Sequence, residues 1–525
     1  MHDSLRRWPW FAIALAPYPL LYIAAANPGQ VDAASLLPAL AAAVAASLAL
    51  LTLLRLLLGN WFQAGLGVAW LLLLFFSYGP VNARFDGAGG EADEGLAAVH
   101  WAADNLQLVH SAIWLLLLVL GWSWLRRLRH PPGRLTAALN LMSVLLLVVA
   151  AVQWTAGRSA QADAVRADAG GSTAASEGAP DIYFIVLDGY ARADVLASHY
   201  GYDNRPFLRR LEQLGFQVAD ASQANYSWTF LSLSSTLNMD YMPALLGDRL
   251  DPTTADREHA YRLLRDNRAA AFLRKRGYRF VHLQSTWGGT GSNPYADDFR
   301  RCGGGLFRDD YLLAVAEVSW LRAFGSRASL DLASCHLRNF ETLAALAREP
   351  GPKFVFAHFV PPHHPYLFGR DGRVLRDANL SNQFEFQKKL WEDRQAYVDQ
   401  LAFVSGKAED AIVRLIADSE RSPVILLVSD HGPNLRRGIE GADYNRLRLA
   451  NLSAVRLPGA SAEPLPEDIS NVNLLRVVLD RLFAAGLPTL PDRHFVSDYR
   501  QPFDFREVDG NGAPVETAAG SADNM

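Results

Sequence analysis

Residues 181–190 read DIYFIVLDGY, six consecutive apolar or aromatic side chains closed by Asp188-Gly189. A short unbroken apolar run ended by a turn pair is the pattern of a strand buried on both faces, which arises where helices cover a mostly parallel sheet. Runs of the same kind recur at 278–283 (YRFVHL), 353–360 (KFVFAHFV), 423–429 (PVILLVS) and 452–458 (LSAVRLP). Between them, 205–214, 260–276, 382–419 and 472–485 carry apolar residues at three- and four-residue spacing, the period of a helix with one buried face. The alternation predicts an α/β domain with a mostly parallel central sheet and helices on both faces.

Ligands of open α/β sheets bind beyond the carboxyl ends of the strands. Three of those ends are chemically rich. The first runs into Asp188-Gly189-Tyr190, the third into Pro361-Pro362-His363-His364-Pro365-Tyr366, and the fourth into Asp430-His431-Gly432. A carboxylate after a strand either ligates a metal or caps the next helix. An adjacent Asp and His supply the hard oxygen and borderline nitrogen that suit Zn or Mn, and the two strand ends together favour a metal site on an exposed rim. Between them, 225–239 (NYSWTFLSLSSTLNM) is rich in hydroxyls that either cap a helix or act as nucleophiles.

Upstream the composition changes. Of 525 residues half are hydrophobic, massed in the first 156 positions. Five apolar runs approach the ~20 residues needed to cross a bilayer: 8–26, 36–58, 63–81, 110–125 and 135–156. The second and third are joined by a turn at Gly59-Asn60, and Trp8, Trp10, Trp61, Trp101, Trp122, Trp124 and Trp154 fall near run ends, as an interfacial belt does. Arg6 and Arg7 precede the first run, and Arg126, Arg127, Arg129 and Arg134 lie between the fourth and fifth, whereas 82–107 carries Asp86, Glu91, Asp93, Glu94 and Asp104 against one arginine. Cytoplasmic loops retain basic residues, so five crossings place everything after Ala156 outside the cytoplasm. The runs hold almost no ionisable residues, which argues for an anchor over an ion or proton pathway.

The resulting organisation is a five-span transmembrane domain at 1–156, a flexible linker of small and polar residues at 157–180, a soluble domain at 181–505 and a disordered tail at 506–525. A net charge of -4 without a basic arm gives no reason to expect nucleic acid. The two cysteines, Cys302 and Cys335, exclude a cysteine-rich zinc module; pairing them and leaving both as buried thiols are equally open.

The order of strand-DG, a YSWTFLSLSSTLNM segment, a His-rich PHHPY turn and VSDHG resembles the sulfatase-like hydrolases and transferases of the alkaline phosphatase superfamily. The succession of anchor, tether and soluble domain is similar to lipoteichoic acid synthases and lipid A phosphoethanolamine transferases. The resemblance implies an alkaline phosphatase-like catalytic domain with Asp188, Asp430 and His431 as metal ligands and Thr229 as both ligand and nucleophile. Ser227 and Ser232 are the competing hydroxyls. It implies His363 as the group that contacts the phosphate and protonates the leaving group, with His364 as competitor and His358 as structural. Two departures narrow the reading: no C-x-P-S-R motif follows the first strand, which disfavours formylglycine sulfatase chemistry, and the PHHPY turn lacks the Asp that a second ion needs. One divalent ion, Mn or Zn, is expected.

The implied function is a membrane-anchored phosphotransferase on the periplasmic side of the inner membrane. It would move a phosphoglycerol or phosphoethanolamine group from a phospholipid donor to an envelope glycan or lipid acceptor through a phospho-threonine. A phosphate ester hydrolase with the same residues, and a non-catalytic envelope binding protein, are the alternatives.

Overall fold

The computed structural model describes residues 8–27, 30–86, 106–128, 133–162, 179–303, 305, 307, 309–376, 378, 380, 389–459 and 464–515. Arg6-Arg7, most of the acidic 82–107 stretch, most of the 157–180 linker and the last ten residues lie outside them. The chain divides into two units, Met1–Ala164 with Tyr311–Gly325, and Val165–Asp310 with Ser326–Met525.

Among the described residues of the sheet unit nine strands form, β1 (Ile182–Leu187), β2 (Gln217–Val218), β3 (Arg279–Leu283), β4 (Asp298–Arg300), β5 (Lys353–Phe359), β6 (Val424–Val428), β7 (Ser453–Arg456), β8 (His494–Val496) and β9 (Arg506–Val508). Seven build the central sheet in the order β2-β7-β6-β1-β5-β3-β4, with β1 at its middle. The contacts among β6, β1, β5, β3 and β4 are parallel, and β7 and β2 join antiparallel. Every residue of β1, β5 and β6 is buried, but alternate side chains enter different cores. Tyr183, Ile185, Leu187, Val355, Ala357, Phe359, Ile425 and Leu427 pack with the helix Arg394–Asp418 on one face. Ile182, Phe184, Val186, Phe354, Phe356, Leu426 and Val428 pack with the helices Arg268–Arg274 and Asn471–Phe483 on the other. This two-sided burial is why the strands read as unbroken apolar runs.

Two expectations change in detail. The helix expected over 260–276 is two helices, Glu258–Arg265 and Arg268–Arg274, because the Asn267 side chain accepts from Ala270 N at 2.8 Å and starts a new helix there. The domain does not stop at 505: β9 pairs with β8, and Val508 bridges Pro514, so the expected tail begins with ordered chain. Cys302 and Cys335 form a disulfide.

Among the described residues of the other unit four helices are long and apolar enough to cross a membrane, Ala33–Leu58, Trp61–Val81, Val109–Arg127 and Arg134–Ala156. The run expected as a single span at 8–26 is instead two short helices, Phe11–Ala14 and Tyr18–Ala26. Pro17 and Pro19 lack amide donors and clash with the preceding turn, which breaks the helix. Neighbouring helices serve the polar groups near the break. Asn140 Oδ1 accepts from Phe11 N at 2.8 Å, Asn140 Nδ2 donates to Trp8 O at 2.9 Å, and Ser47 Oγ donates to Ala12 O at 2.6 Å. The last apolar helix runs on to Ala162, six residues into the expected linker.

The same unit takes in 311–325. Tyr311 and Val315 pack with Leu20, Ala24, Leu36 and Ala150, Tyr311 Oη donates to Leu20 O at 3.3 Å, and the Trp320 ring lies 6.1 Å from that of Tyr78.

Candidate active site

The site lies at the carboxyl ends of β1, β5 and β6. Asp188 follows β1, with its amide bonded to Phe359 O at 2.9 Å and its own carbonyl accepting from His363 N at 3.1 Å. The backbone itself thus ties the first and third chemically rich strand ends together. Asp430 follows β6, and its Oδ1 accepts from Gly189 N at 3.0 Å. The turn behind it is braced by Ser429, whose Oγ accepts from Tyr190 N at 2.8 Å and donates to His431 O at 2.7 Å. Asn451 and Asn471 each donate to Ser429 O, at 2.7 and 3.0 Å.

Thr229 opens the helix Thr229–Asn238. The segment before it is clamped: Asn225 Oδ1 accepts from Val472 N at 2.9 Å, Tyr226 Oη accepts from Met242 N at 2.8 Å, and Trp228 Nε1 donates to Ser497 O at 3.0 Å. The Thr229 hydroxyl is turned to His431 Nε2 at 3.0 Å. Ser232 is fully buried with its hydroxyl donated to Asp430 O at 2.6 Å, so it supports the strand end from behind. Ser227 is buried and its Oγ has no hydrogen-bond partner.

Ligand-type atoms of Asp188, Asp430 and His431 lie within 4.8 Å of one another. His431 Nε2 is 3.1 Å from Asp430 Oδ2 and 3.8 Å from Asp188 Oδ1. His431 Nδ1 faces Gly432 O at 3.0 Å and Arg448 Nη1 at 2.8 Å, while Nε2 faces the carboxylates. Asp188 Oδ1 and Asp430 Oδ2 are buried without a hydrogen-bond partner. Ligand atoms around a tetrahedral ion with bonds of about 2.0–2.1 Å stand roughly 3.3 Å apart, so this donor set fits a divalent cation. The expected exposed rim is corrected: Asp188, Asp430 and His431 are 4, 0 and 1 % exposed, because 361–366 and the helix Thr229–Asn238 close over the strand ends. Thr229 and His363 are half-buried and keep contact with solvent.

Burial dominates the electrostatics. It raises the Asp188 carboxyl, opposed by charge on His363 and Arg448. Burial, then repulsion from Asp188, pushes Asp430 up to about 7. Burial and the Arg448 charge hold His431 well below its usual range. His363 is lowered by its enclosure and raised by the Asp188 charge. Its Nδ1 is 2.6 Å from His364 O and so carries a proton, leaving Nε2 as the exchangeable position. Gln400 holds the turn, accepting from Leu367 N at 2.6 Å and donating to His363 O at 3.0 Å. His364 is buried with Nε2 unpartnered, against Trp391.

Two residues at the site had no functional reading in the sequence. His358, expected to be structural, is buried with Nε2 3.3 Å from Asp188 Oδ2, and its Nδ1 meets Thr290 Oγ1 at 2.8 Å. Burial lowers its pKa to about 4, so it stands neutral beside the carboxylate. A histidine as the penultimate residue of a strand that is apolar after Lys353 is the signal that could have found it. Arg448 is buried beside His431, and nothing in the RLRLAN segment distinguishes it from the half-exposed Arg446.

No family model and no curated protein matches the chain. Among solved structures it is similar to the C-terminal periplasmic domain of EcEptC from Escherichia coli, at 11% identity over 62% of this chain and 91% of that one, TM-score 0.40. It is similar to the C-terminal periplasmic domain of the phosphoethanolamine transferase EptC from Campylobacter jejuni, at 13% identity over 61% of this chain and 97% of that one, TM-score 0.37. The phosphonate monoester hydrolase of Agrobacterium radiobacter matches at 13% identity over 60% of this chain and 75% of that one, TM-score 0.38. With TM-scores of 0.40 and below, the functional reading stands on the site's own geometry.

Proposed function

We propose that the chain is a membrane-anchored, metal-dependent phosphotransferase that moves a phospho-substituent from a phospholipid to an envelope glycan or lipid, with Thr229 as nucleophile. The observation that carries this reading is a solvent-reachable hydroxyl 3.0 Å from a buried histidine nitrogen that faces two unpartnered carboxylate oxygens. Asp188, Asp430, His431 and Thr229 would hold one ion, and their mixed oxygen and nitrogen set suits Zn or Mn. When bound, such an ion stabilises charge on phosphoryl oxygens and lowers the pKa of a hydroxyl it touches.

Thr229 Oγ1, its proton already lost to solvent, attacks phosphorus as the alkoxide while the bond to the lipid oxygen breaks, and the alkoxide is regenerated when the acceptor displaces it. Its place at a helix N-terminus favours negative charge there. His363 gives its Nε2 proton to the departing lipid oxygen, releasing diacylglycerol, and the Asp188 charge supports the protonated imidazole. An acceptor hydroxyl then returns a proton to His363 and takes the phospho-substituent from Thr229.

Five crossings and an extracytoplasmic site complete the reading, with 1–156 as anchor, 157–180 as tether and the rest as catalytic domain. The segment 311–325 packs against the end of the first apolar stretch, the start of the second and the ends of the third and fifth, which share one membrane side whether or not the first stretch crosses; the parity rests on the basic loops. A disulfide also suits an oxidising compartment.

The test is incubation of the purified protein with labelled phosphatidylethanolamine or phosphatidylglycerol, with and without chelator. Metal-dependent release of diacylglycerol with transfer to an added glycan supports the proposal. Release of free head group with no transfer makes the protein a hydrolase, and no turnover of either lipid refutes the phosphotransferase.

A further inference from the structure

Arg448 has no role in the mechanism above, yet it is the most deeply buried cation at the site, 2 % exposed at the end of the helix Gly441–Leu449. Its Nη1 lies 2.8 Å from His431 Nδ1 and its Nη2 3.0 Å from His431 Nε2. Both guanidinium N–H groups are therefore directed at His431, the residue that also faces the carboxylates and Thr229. Nη1 also donates to Gly432 O, the indole of Trp228 stands 5.3 Å from the guanidinium carbon, and Nε is buried without a hydrogen-bond partner.

A buried arginine ordinarily sits against a carboxylate, because an uncompensated buried charge is expensive. Among the described residues Arg448 makes no ion pair at all. Asp188 and Asp430 stabilise its charge only through the field across the site. An anion arriving beside Thr229 would supply the missing partner. Nη2 and Thr229 Oγ1 are each 3.0 Å from the same nitrogen, His431 Nε2, so both border the place where a phosphoryl group attacked by Thr229 would sit.

We propose that Arg448 is the phosphoryl-binding residue of this site, holding a non-bridging oxygen of the donor and then of the phospho-Thr229 intermediate. It rests on the phosphotransferase reading and adds to it a buried guanidinium beside the ligand His431. A guanidinium donates directionally to oxygen and keeps its charge at every physiological pH.

The full-length protein in detergent is titrated with Zn²⁺ alone, then with inorganic phosphate at saturating Zn²⁺, for wild type, R448M and R448K. Removing a positive charge beside the ligands should leave Zn²⁺ affinity equal or higher, whereas phosphate should bind roughly ten- to a hundredfold more weakly in R448M, the loss of one charge-assisted donor. R448K should recover part of it. A merely structural arginine gives a different result, with Zn²⁺ and phosphate affinity lost together in both variants, and that overturns the proposal. So does phosphate affinity in R448M within about twofold of wild type. If R448M does not fold, R448K decides by the same contrast. Wild type that binds Zn²⁺ but no phosphate refutes the role of Arg448 and leaves the metal site standing; wild type that binds neither refutes the parent reading as well.

Discussion

Metal uptake at this site should release protons, and the amount follows from the Asp430 carboxyl. Burial and the neighbouring Asp188 raise it to about 7. In metal-free protein the Asp188–Asp430 pair therefore holds a proton on the acid side of neutrality and gives it up on the alkaline side. A cation binds the carboxylate form, so each ion should displace more protons from the pair at pH 6 than at pH 8. Asp188, raised by burial as well, adds to the release at the acid end. Affinity should fall at least about tenfold per pH unit below 7. Calorimetric titration with Zn²⁺ in two buffers of different protonation enthalpy counts the protons directly, and D430N should remove the Asp430 share. Stability carries the opposite sign. A carboxyl raised in the folded state contributes stability that is complete below its ordinary value of 3.8 and lost as pH rises through about 7. Metal-free protein should therefore lose stability from pH 5 to 8, and Zn²⁺ should restore it at the upper end. Tight binding at pH 6 with no proton release would refute the assignment of Asp430 as a ligand.

Other outcomes can be checked independently. D188N or H431A should lower metal affinity by about tenfold to a hundredfold or more, read by equilibrium dialysis, with the circular dichroism spectrum unchanged. Replacing Cys302 and Cys335 together by Ala should lower unfolding stability by about 3–4 kcal/mol in denaturant titration, the loop-closure entropy of a bridge across 33 residues. An alkaline phosphatase reporter fused after Glu177 should be active and a cytoplasm-only fluorescent reporter dark; the reverse pattern would end the envelope reading.

Much of the sheet was legible because β1, β5 and β6 are buried on both sides, so β1 and β6 read as unbroken apolar runs and β5 carries only Lys353 at its start and His358 near its end. Asp188 and Asp430-His431 stood out for the same reason, as the first polar groups after each run. What stayed hidden depends on contacts distant in sequence. β2, β4, β8 and β9 span only two or three residues, too few for a periodic pattern. The break at Pro17 shows only as lost helical hydrogen bonding, and its remedy, Asn140, lies more than a hundred residues away. Ser232 could not be set apart from Thr229 in a run of hydroxyls; the structure separates them by what each oxygen touches, the Asp430 carbonyl or His431 Nε2. Arg448 and Gln400 reach the site from helices whose sequences look like ordinary amphipathic surface.

The central claim is that Thr229 carries the phospho-substituent. Single-turnover incubation of metal-loaded protein with a head-group-labelled phospholipid, quenched in acid and digested, locates the label. An adduct is expected on the peptide containing Thr229, lost in T229A while that variant retains much of its metal through the other three ligands, and undiminished in folded S232A. Label on Ser227 would move the nucleophile, and turnover by T229A with no adduct on any residue would contradict the mechanism.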